Sequence, residues 1–240
     1  MYNTIVLLKK EFRSYFNTPL AYVFLVAFLV LSQWFVMRGY FLRGQADLRT
    51  FFSLVPIIFI LFIPAITMRL WAEEQRQGTI ETLMTSPVRD MEVILGKFLG
   101  GWIFMGVAIL FTIALPLVVK WTAAPEVGID KGPIIGGYIG LFLMGGAYLA
   151  IGLFASSLID SQIAAWIIGT CICFFLFMIG DPFGLFALPQ PLVPLFQYLS
   201  LSRHFDNIAR GVLDIRDIVY YFSVIFFFLY LNACILKARR

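Results

Sequence analysis

Few residues of this 240-residue chain have the types and spacing that catalysis or nucleotide binding requires. The pair Gly96-Lys97 is the nearest approach to a phosphate-binding loop. However, no glycine stands at the required upstream spacing, and Phe98 replaces the hydroxyl that would bind magnesium. His204 is the single histidine, too few for a zinc site; Arg203, Asp206 and Asn207 lie beside it, and we interpret it as a polar residue of the hairpin predicted below for residues 181–216. The sequence therefore predicts no catalytic residue, metal site or cofactor in this chain.

The most informative polar segment spans residues 69–97, after the second apolar stretch. Gly78 is suited to end one short helix, and Thr79 to cap a second helix that Pro87 terminates. The second helix would carry a small apolar stripe, formed by Ile80, Leu83 and Met84. A short two-sided helix that projects from a membrane bundle suits docking into a groove on a partner protein. The alternative is a solvated loop with surface charges.

Residues 1–17 predict an amphipathic helix. Its apolar face would consist of Ile5, Leu8, Phe12 and Tyr15, and its basic residues elsewhere are Lys9, Lys10 and Arg13. With the apolar face down and the basic residues toward anionic head groups, such a helix lies in the membrane interface. A positive-inside anchor for the following span is the alternative interpretation.

The composition assigns these segments to a membrane protein. Hydrophobic residues make up 61% of the chain and charged residues 13%, and the mean hydropathy is +0.90. Soluble domains average about 45–50% apolar and about 25% charged residues, so a soluble or disordered chain is excluded. The net charge of +4 is mild and forms no basic run, which favours contact with anionic lipids over nucleic acid.

The apolar stretches predict the architecture. Seven of them lack Asp, Glu, Lys and Arg: Leu20–Met37, Phe51–Met68, Phe98–Val119, Gly132–Ile159, Ser161–Gly180, Pro182–Ser202 and Ile218–Leu236. The sixth contains several prolines, which would leave carbonyl groups unpaired in hydrocarbon. We therefore predict a re-entrant hairpin within residues 181–216 and six transmembrane helices, forming a single all-α membrane domain over residues 1–240.

An even number of spans would place both termini on one side of the membrane. Compact basic clusters nearly free of acids mark both ends of the chain: Lys9, Lys10, Arg13, Lys237, Arg239 and Arg240. By the positive-inside rule we predict that both termini are cytoplasmic, together with residues 71–97.

Glycines recur at close spacing in two of the predicted spans. They are Gly96, Gly100 and Gly101 in one, and Gly136, Gly137, Gly140, Gly145, Gly146 and Gly152 in the other. Such spacing lets helix backbones approach closely. We interpret these faces as packing within the chain, and a dimer interface or a moving hinge is the alternative.

The polar segment also resembles a known family. The pattern Glu73-Glu74-x-x-x-Gly78-Thr79-x-Glu81-x-Leu83-x-x-x-Pro87, followed by Gly96-Lys97, resembles the signature of ABC transporter permeases of the second exporter class, with the type V exporter fold. The resemblance extends over the whole chain, and residues 200–217 look most like the gliding-motility permeases. It implies a non-enzymatic membrane subunit of an ATP-driven exporter in the bacterial inner membrane. ATP and magnesium would bind to a separate ATPase subunit.

The resemblance implies roles for individual residues as well. The ATPase-docking segment, which holds a coupling helix, would comprise Glu73, Glu74, Gly78, Thr79, Ile80, Glu81, Thr82, Leu83, Met84 and Pro87. The interface helix would present Lys9, Lys10, Phe12 and Arg13, and the outer gate would contain Pro182, Pro189, Pro191 and Pro194. The implied partners are two ABC ATPase subunits, a second permease copy or paralogue, membrane lipids and a periplasmic accessory subunit, and no nucleic acid.

Two other functions remain open at this point. An ion- or proton-coupled secondary transporter needs ionisable groups at membrane depth and tends to have repeated halves, and the assigned spans contain neither. A membrane enzyme would need a Ser-His-Asp set, a His-Glu-x-x-His motif or an intramembrane aspartate pair, and the sequence has none of these. The cargo stays open between lipid-like, glycan and peptide molecules, and so does a mechanical role without cargo.

Overall fold

Helices form all the regular structure in the part of the chain that the structure describes. The computed structural model describes residues 2–43, 48–78, 90–116, 118, 131–181 and 190–238. The helices are α1 (Tyr2–Phe16), α2 (Pro19–Arg43), α3 (Arg49–Thr67), α4 (Arg69–Arg76), α5 (Asp90–Thr112), α6 (Lys131–Leu158), α7 (Gln162–Met178), a 3₁₀ turn (Gln190–Leu192), α8 (Val193–Leu199), α9 (Leu201–Ala209) and α10 (Ile215–Ala238). The predicted all-α class is confirmed.

Four helical stretches among these residues are long and apolar enough to cross a membrane: Arg49–Arg76, Asp90–Pro116, Gly132–Leu158 and Ile215–Ala238. A bent pair, Thr4–Phe16 with Ala21–Met37, makes a fifth if the pair counts as one span. The apolar helix α7 has 17 residues, or about 26 Å at 1.5 Å per residue, slightly less than a hydrocarbon core of about 30 Å. The chain is a multi-pass membrane protein, and the count of six spans stays a prediction.

Helix α6 lies at the centre of the bundle. It packs against α3, α5, α7, α9 and α10, and its inner surface is almost completely buried. The glycines on α6 make this possible, because side chains of the neighbouring helices occupy the space that a Cβ atom would need: Phe52, Trp102, Met105, Phe205 and Thr67. The small-residue face of this helix therefore serves packing within the chain, as interpreted from the sequence.

The outward surface of the bundle is strongly apolar. Val23, Val26, Val30 and Trp34 of α2 are between 56% and 65% exposed, and Ile163, Phe174 and Phe175 of α7 are exposed to a similar degree. In water, contiguous apolar surface of this kind would drive association. Exposed apolar helix faces are the surface expected of a protein whose solvent is lipid.

The predicted outer gate is only partly described. Pro182 and Pro189 lie outside the described residues. Pro191 lies in the 3₁₀ turn, and Pro194 occupies the first turn of α8, where the missing N–H group has no helical partner to lose. Helix α9 follows and buries one face against α6, whereas α8 has no buried residue.

Candidate functional site: the polar helix that follows α3

Ser156 of α6 holds the break between α3 and α4. The N–H groups of Trp71 and Ala72 both donate to its Oγ atom at 3.1 Å, and its hydroxyl donates to the carbonyl oxygen of Met68 at 2.8 Å. Gln75 adds a further bond, because its side-chain amide donates to the carbonyl of Ser157 at 3.1 Å. The first N–H groups of a helix lack partners within the helix. Here the buried Ser156 hydroxyl is the acceptor for two of them, and it thereby connects α4 to the central helix.

A buried lysine holds the other side of α4. The Nζ atom of Lys97, on α5, donates to Oε1 of Glu74 at 2.7 Å, to the carbonyl of Leu70 at 3.0 Å and to Oε1 of Glu11 at 3.3 Å. It also lies 5.0 Å from the ring centroid of Trp71, within cation–π range. We call these groups — Lys97, Glu11, Glu74 and the Leu70 carbonyl — the Lys97 cluster.

The Lys97 cluster is satisfied at its centre. The side chain of Lys97 is 3% exposed, and its three N–H groups match the three acceptors in number. A buried charge of this kind is tolerated only when it is paired and hydrogen-bonded, and removing one partner from such a pair costs about 3–5 kcal/mol. The cluster therefore makes the position of α4 depend on α1 and α5.

Helix α1 packs along α5 with one face. Of the four residues of the predicted apolar face, Tyr15 is buried, Leu8 and Phe12 are half-buried and Ile5 is 55% exposed. Glu11 also turns inward, where it meets Lys97, and the contact of the apolar face with the membrane stays a prediction.

Glycines on α5 receive α1. A Cβ atom added at Gly96 would lie 2.8 Å from the Cβ atom of Leu7, and one added at Gly100 would lie 3.0 Å from that of Glu11. The two helices therefore meet almost backbone to backbone. Lys9, Lys10 and Arg13 lie on the opposite, exposed side of α1, an arrangement compatible with the predicted contact with anionic lipid.

The structure describes only the beginning of the predicted docking segment. Helix α4 ends as predicted at Gly78, whose φ of +69° is the left-handed conformation that favours glycine after a helix. Glu73 accepts a hydrogen bond from the Gln77 side chain at 3.4 Å, and Glu74 joins the Lys97 cluster. The remaining docking residues lie outside the described residues: Thr79, Ile80, Glu81, Thr82, Leu83, Met84 and Pro87.

A second buried polar pair lies at the start of α10. Nδ1 of His204 lies 2.5 Å from Oδ1 of Asp217, Nε2 of His204 lies 2.9 Å from the carbonyl of Tyr198, and the imidazole stacks on Tyr220 with centroids 3.9 Å apart. Sequence analysis described His204 only by its neighbours in the chain. The pair attaches α9 to α10 and so fixes the segment that precedes the last span.

Sequence analysis did not identify Glu11, Ser156 or the pairing role of Lys97. The sequence did contain a signal for Lys97. This lysine lies seven residues after the start of α5, and beyond its first turn the helix is otherwise apolar. A lysine in such surroundings needs a buried partner. Nothing local marks Ser156, because its three backbone partners are more than 80 residues away in the chain. Among the described residues, no group of three His, Cys, Asp or Glu side chains could hold a metal ion.

Comparison with known proteins assigns the chain to a family. The model of a family described as ABC-2 family transporter protein matches residues 5–236, nearly the whole chain. No curated protein gives a significant match to the chain. Permeases of this family are membrane components that work with separate ABC ATPase subunits. The chain therefore belongs to the ABC-2 family of transporter proteins and is the membrane subunit of an ABC transporter.

Proposed function

We propose that the chain couples ATP hydrolysis in a partner subunit to movement of a substrate, or of force, across the bacterial inner membrane as part of an exporter. The observation that carries this proposal is the attachment of α4. This short polar helix continues the second apolar helix, is bound to α6 through Ser156 and to α5 through Lys97, and ends at Gly78 directly before residues 79–87. A segment that is attached to several spans at once is suited to pass a displacement caused by a partner subunit on to those spans.

The mechanism follows from these attachments. The ATPase subunit would bind residues 79–87 through the stripe Ile80, Leu83 and Met84, and its ATP-driven closure would displace α4. Because α4 is bonded to α5 and α6, the displacement would tilt both helices. Tilting would change access to a path between two permease copies, with the outer gate of residues 181–216 opening at the far end.

The assembly that we propose has two ATPase subunits and two permeases, the second permease being a copy or a paralogue. ATP and magnesium bind to the ATPase subunits. Both termini of the permease are cytoplasmic, and the exposed Lys9, Lys10 and Arg13 of α1 contact anionic lipid head groups. A periplasmic accessory subunit and a place in the gliding-motility subclass complete the proposal, which rests for these points on the sequence resemblance alone.

Replacing residues 79–87 by a Gly/Ser linker of equal length tests the docking role. The variant is expected to insert into the membrane at the wild-type level and to lose copurification of the ATPase subunit, because the apolar stripe is removed while α4 and its bonds remain. A linker replacing residues 44–47, between α2 and α3, is the matched control and should leave the ATPase bound. ATPase that stays bound to the 79–87 variant would refute the docking assignment.

A further inference from the structure

The Lys97 cluster joins two helices that are far apart in the chain. Glu11 comes from α1 and Glu74 from α4, and the ammonium group of Lys97 on α5 lies between the two carboxylates. We propose that Lys97 is a positioning residue that couples the position of α4 to that of α1, so that displacement of the docking segment is passed to the helix at the membrane interface. This inference deepens the proposed function and rests on it for the origin of the displacement.

The hydrogen-bond geometry makes the two helices interdependent. Helix α4 supplies two of the three acceptors, Glu74 at 2.7 Å and the Leu70 carbonyl at 3.0 Å, and α1 supplies the third at 3.3 Å. When α4 moves away, the buried ammonium group loses its two closer acceptors. The free energy of leaving it poorly paired then favours a shift of Glu11, and with it α1, toward the lysine. Without the cation, the two carboxylates would repel each other instead.

The contact between α1 and α5 adds a steric reason. At Gly96 and Gly100 no side chain of α5 separates the two backbones, since an added Cβ atom would lie 2.8–3.0 Å from atoms of α1. Lys97 lies directly beside Gly96 in this tight contact. A change in the direction of the Lys97 side chain therefore acts directly on α1, because no flexible side chains lie between the two helix backbones.

Amide hydrogen exchange of the chain in lipid nanodiscs tests the coupling without the ATPase. In Glu74→Gln, exchange across α1 is expected to fall by about tenfold, because Lys97 loses its closest carboxylate and pairs more strongly with Glu11 of α1. Reciprocally, Glu11→Gln should lower exchange in α4, because Lys97 then pairs more strongly with Glu74. Glu73→Gln is the matched control, on the same helix one residue earlier, and should leave α1 unchanged.

The decisive comparison removes the lysine. In the background Lys97→Met/Glu11→Gln, which leaves no unpaired ammonium group, adding Glu74→Gln should no longer change exchange in α1. Lys97→Arg keeps the charge and should retain the effect. Unchanged exchange in α6 verifies that each variant is folded. An equal response of α1 to Glu73→Gln and Glu74→Gln, or an effect of Glu74→Gln that persists without Lys97, would reduce the cluster to a structural ion pair.

The two proposals can be refuted independently. Hydrogen exchange measures the coupling within the chain, and copurification measures ATPase docking. Normal docking without a cross-effect between α4 and α1 overturns the positioning role alone. A cross-effect in a chain that binds no ATPase overturns the proposed function alone.

Discussion

At the scale of single residues, two side chains determine where α4 lies. Ser156 completes the hydrogen bonds at the break between α3 and α4, and Lys97 neutralises the carboxylate of Glu74. Both are fully or almost fully buried, where an unmade hydrogen bond costs far more than it does in water. The local geometry of α4 is therefore set by residues of other helices rather than by its own eight residues.

Ser156→Ala is predicted to loosen α4 specifically. The N–H groups of Trp71 and Ala72 would lose their acceptor in a buried site, at a cost of about 1–3 kcal/mol. Amide exchange at these two residues should rise accordingly, and the free energy of unfolding in mixed micelles should fall. The control is Ser157→Ala, whose hydroxyl bonds to the carbonyl of Phe154 in its own helix. Equal exchange at Trp71 and Ala72 in both variants would contradict the assignment.

At the scale of elements, the contact between α1 and α5 depends on small residues. Gly96 and Gly100 admit α1, and beyond them Tyr15 stacks on Phe104 with ring centroids 4.9 Å apart. The exposed basic residues then point away from the bundle. A helix that packs this closely is expected to move together with α5, which is what the proposed coupling role of α1 requires.

Gly96→Ala is predicted to weaken this contact. The new methyl group would lie 2.8 Å from the Cβ atom of Leu7, which cannot rotate away, and overpacking of this kind costs about 1–3 kcal/mol. Faster trypsin cleavage at Lys9, Lys10 and Arg13 would report the displaced helix. Gly106→Ala on the same helix is the control, because its nearest neighbour is the ring edge of the partly exposed Phe142.

The gain in helix propensity from glycine to alanine, about 1 kcal/mol, applies to both positions and cancels in the comparison. Cleavage of α1 at the same rate in the two variants would show that α1 is not held by close contact at Gly96.

At the scale of the whole molecule, the central position of α6 organises the bundle. Helices that are remote in the chain meet on it, and α3, α9 and α10 approach it over glycines. In lipid, helices cannot associate by the hydrophobic effect, so close packing and a few buried hydrogen bonds hold them together. The few polar contacts between helices, such as those of Ser156 and Lys97, are therefore the contacts through which we propose that α4 is coupled to the bundle.

Six spans predict that both termini label from the same face. In a background with Cys171, Cys173 and Cys234 replaced by alanine, Ile5→Cys and Ala238→Cys should react with a membrane-impermeant thiol reagent only in inside-out vesicles. Asp47→Cys, between α2 and α3, should react only in right-side-out vesicles and serves as the control. Termini that label from opposite faces would mean an odd number of spans and would refute the architecture.

Much of the fold follows from local patterns. Five of the six predicted spans overlap helices of at least 19 residues, and the sixth overlaps α7. In hydrocarbon the N–H and C=O groups of the backbone must bond to each other, so a long apolar stretch is expected to form a helix. Local rules also predict the end of α4 at Gly78.

By itself, then, the sequence determined that this is a helical membrane protein with a polar segment after its second apolar stretch, because apolar run length and helix-ending residues act locally. The tertiary structure alone decided which face of α1 is buried, and it alone paired Lys97 with Glu11 and brought Ser156 to Trp71. These partners are about 85 residues apart in the chain. Only the packing of helices through their glycines brings such groups within hydrogen-bonding distance.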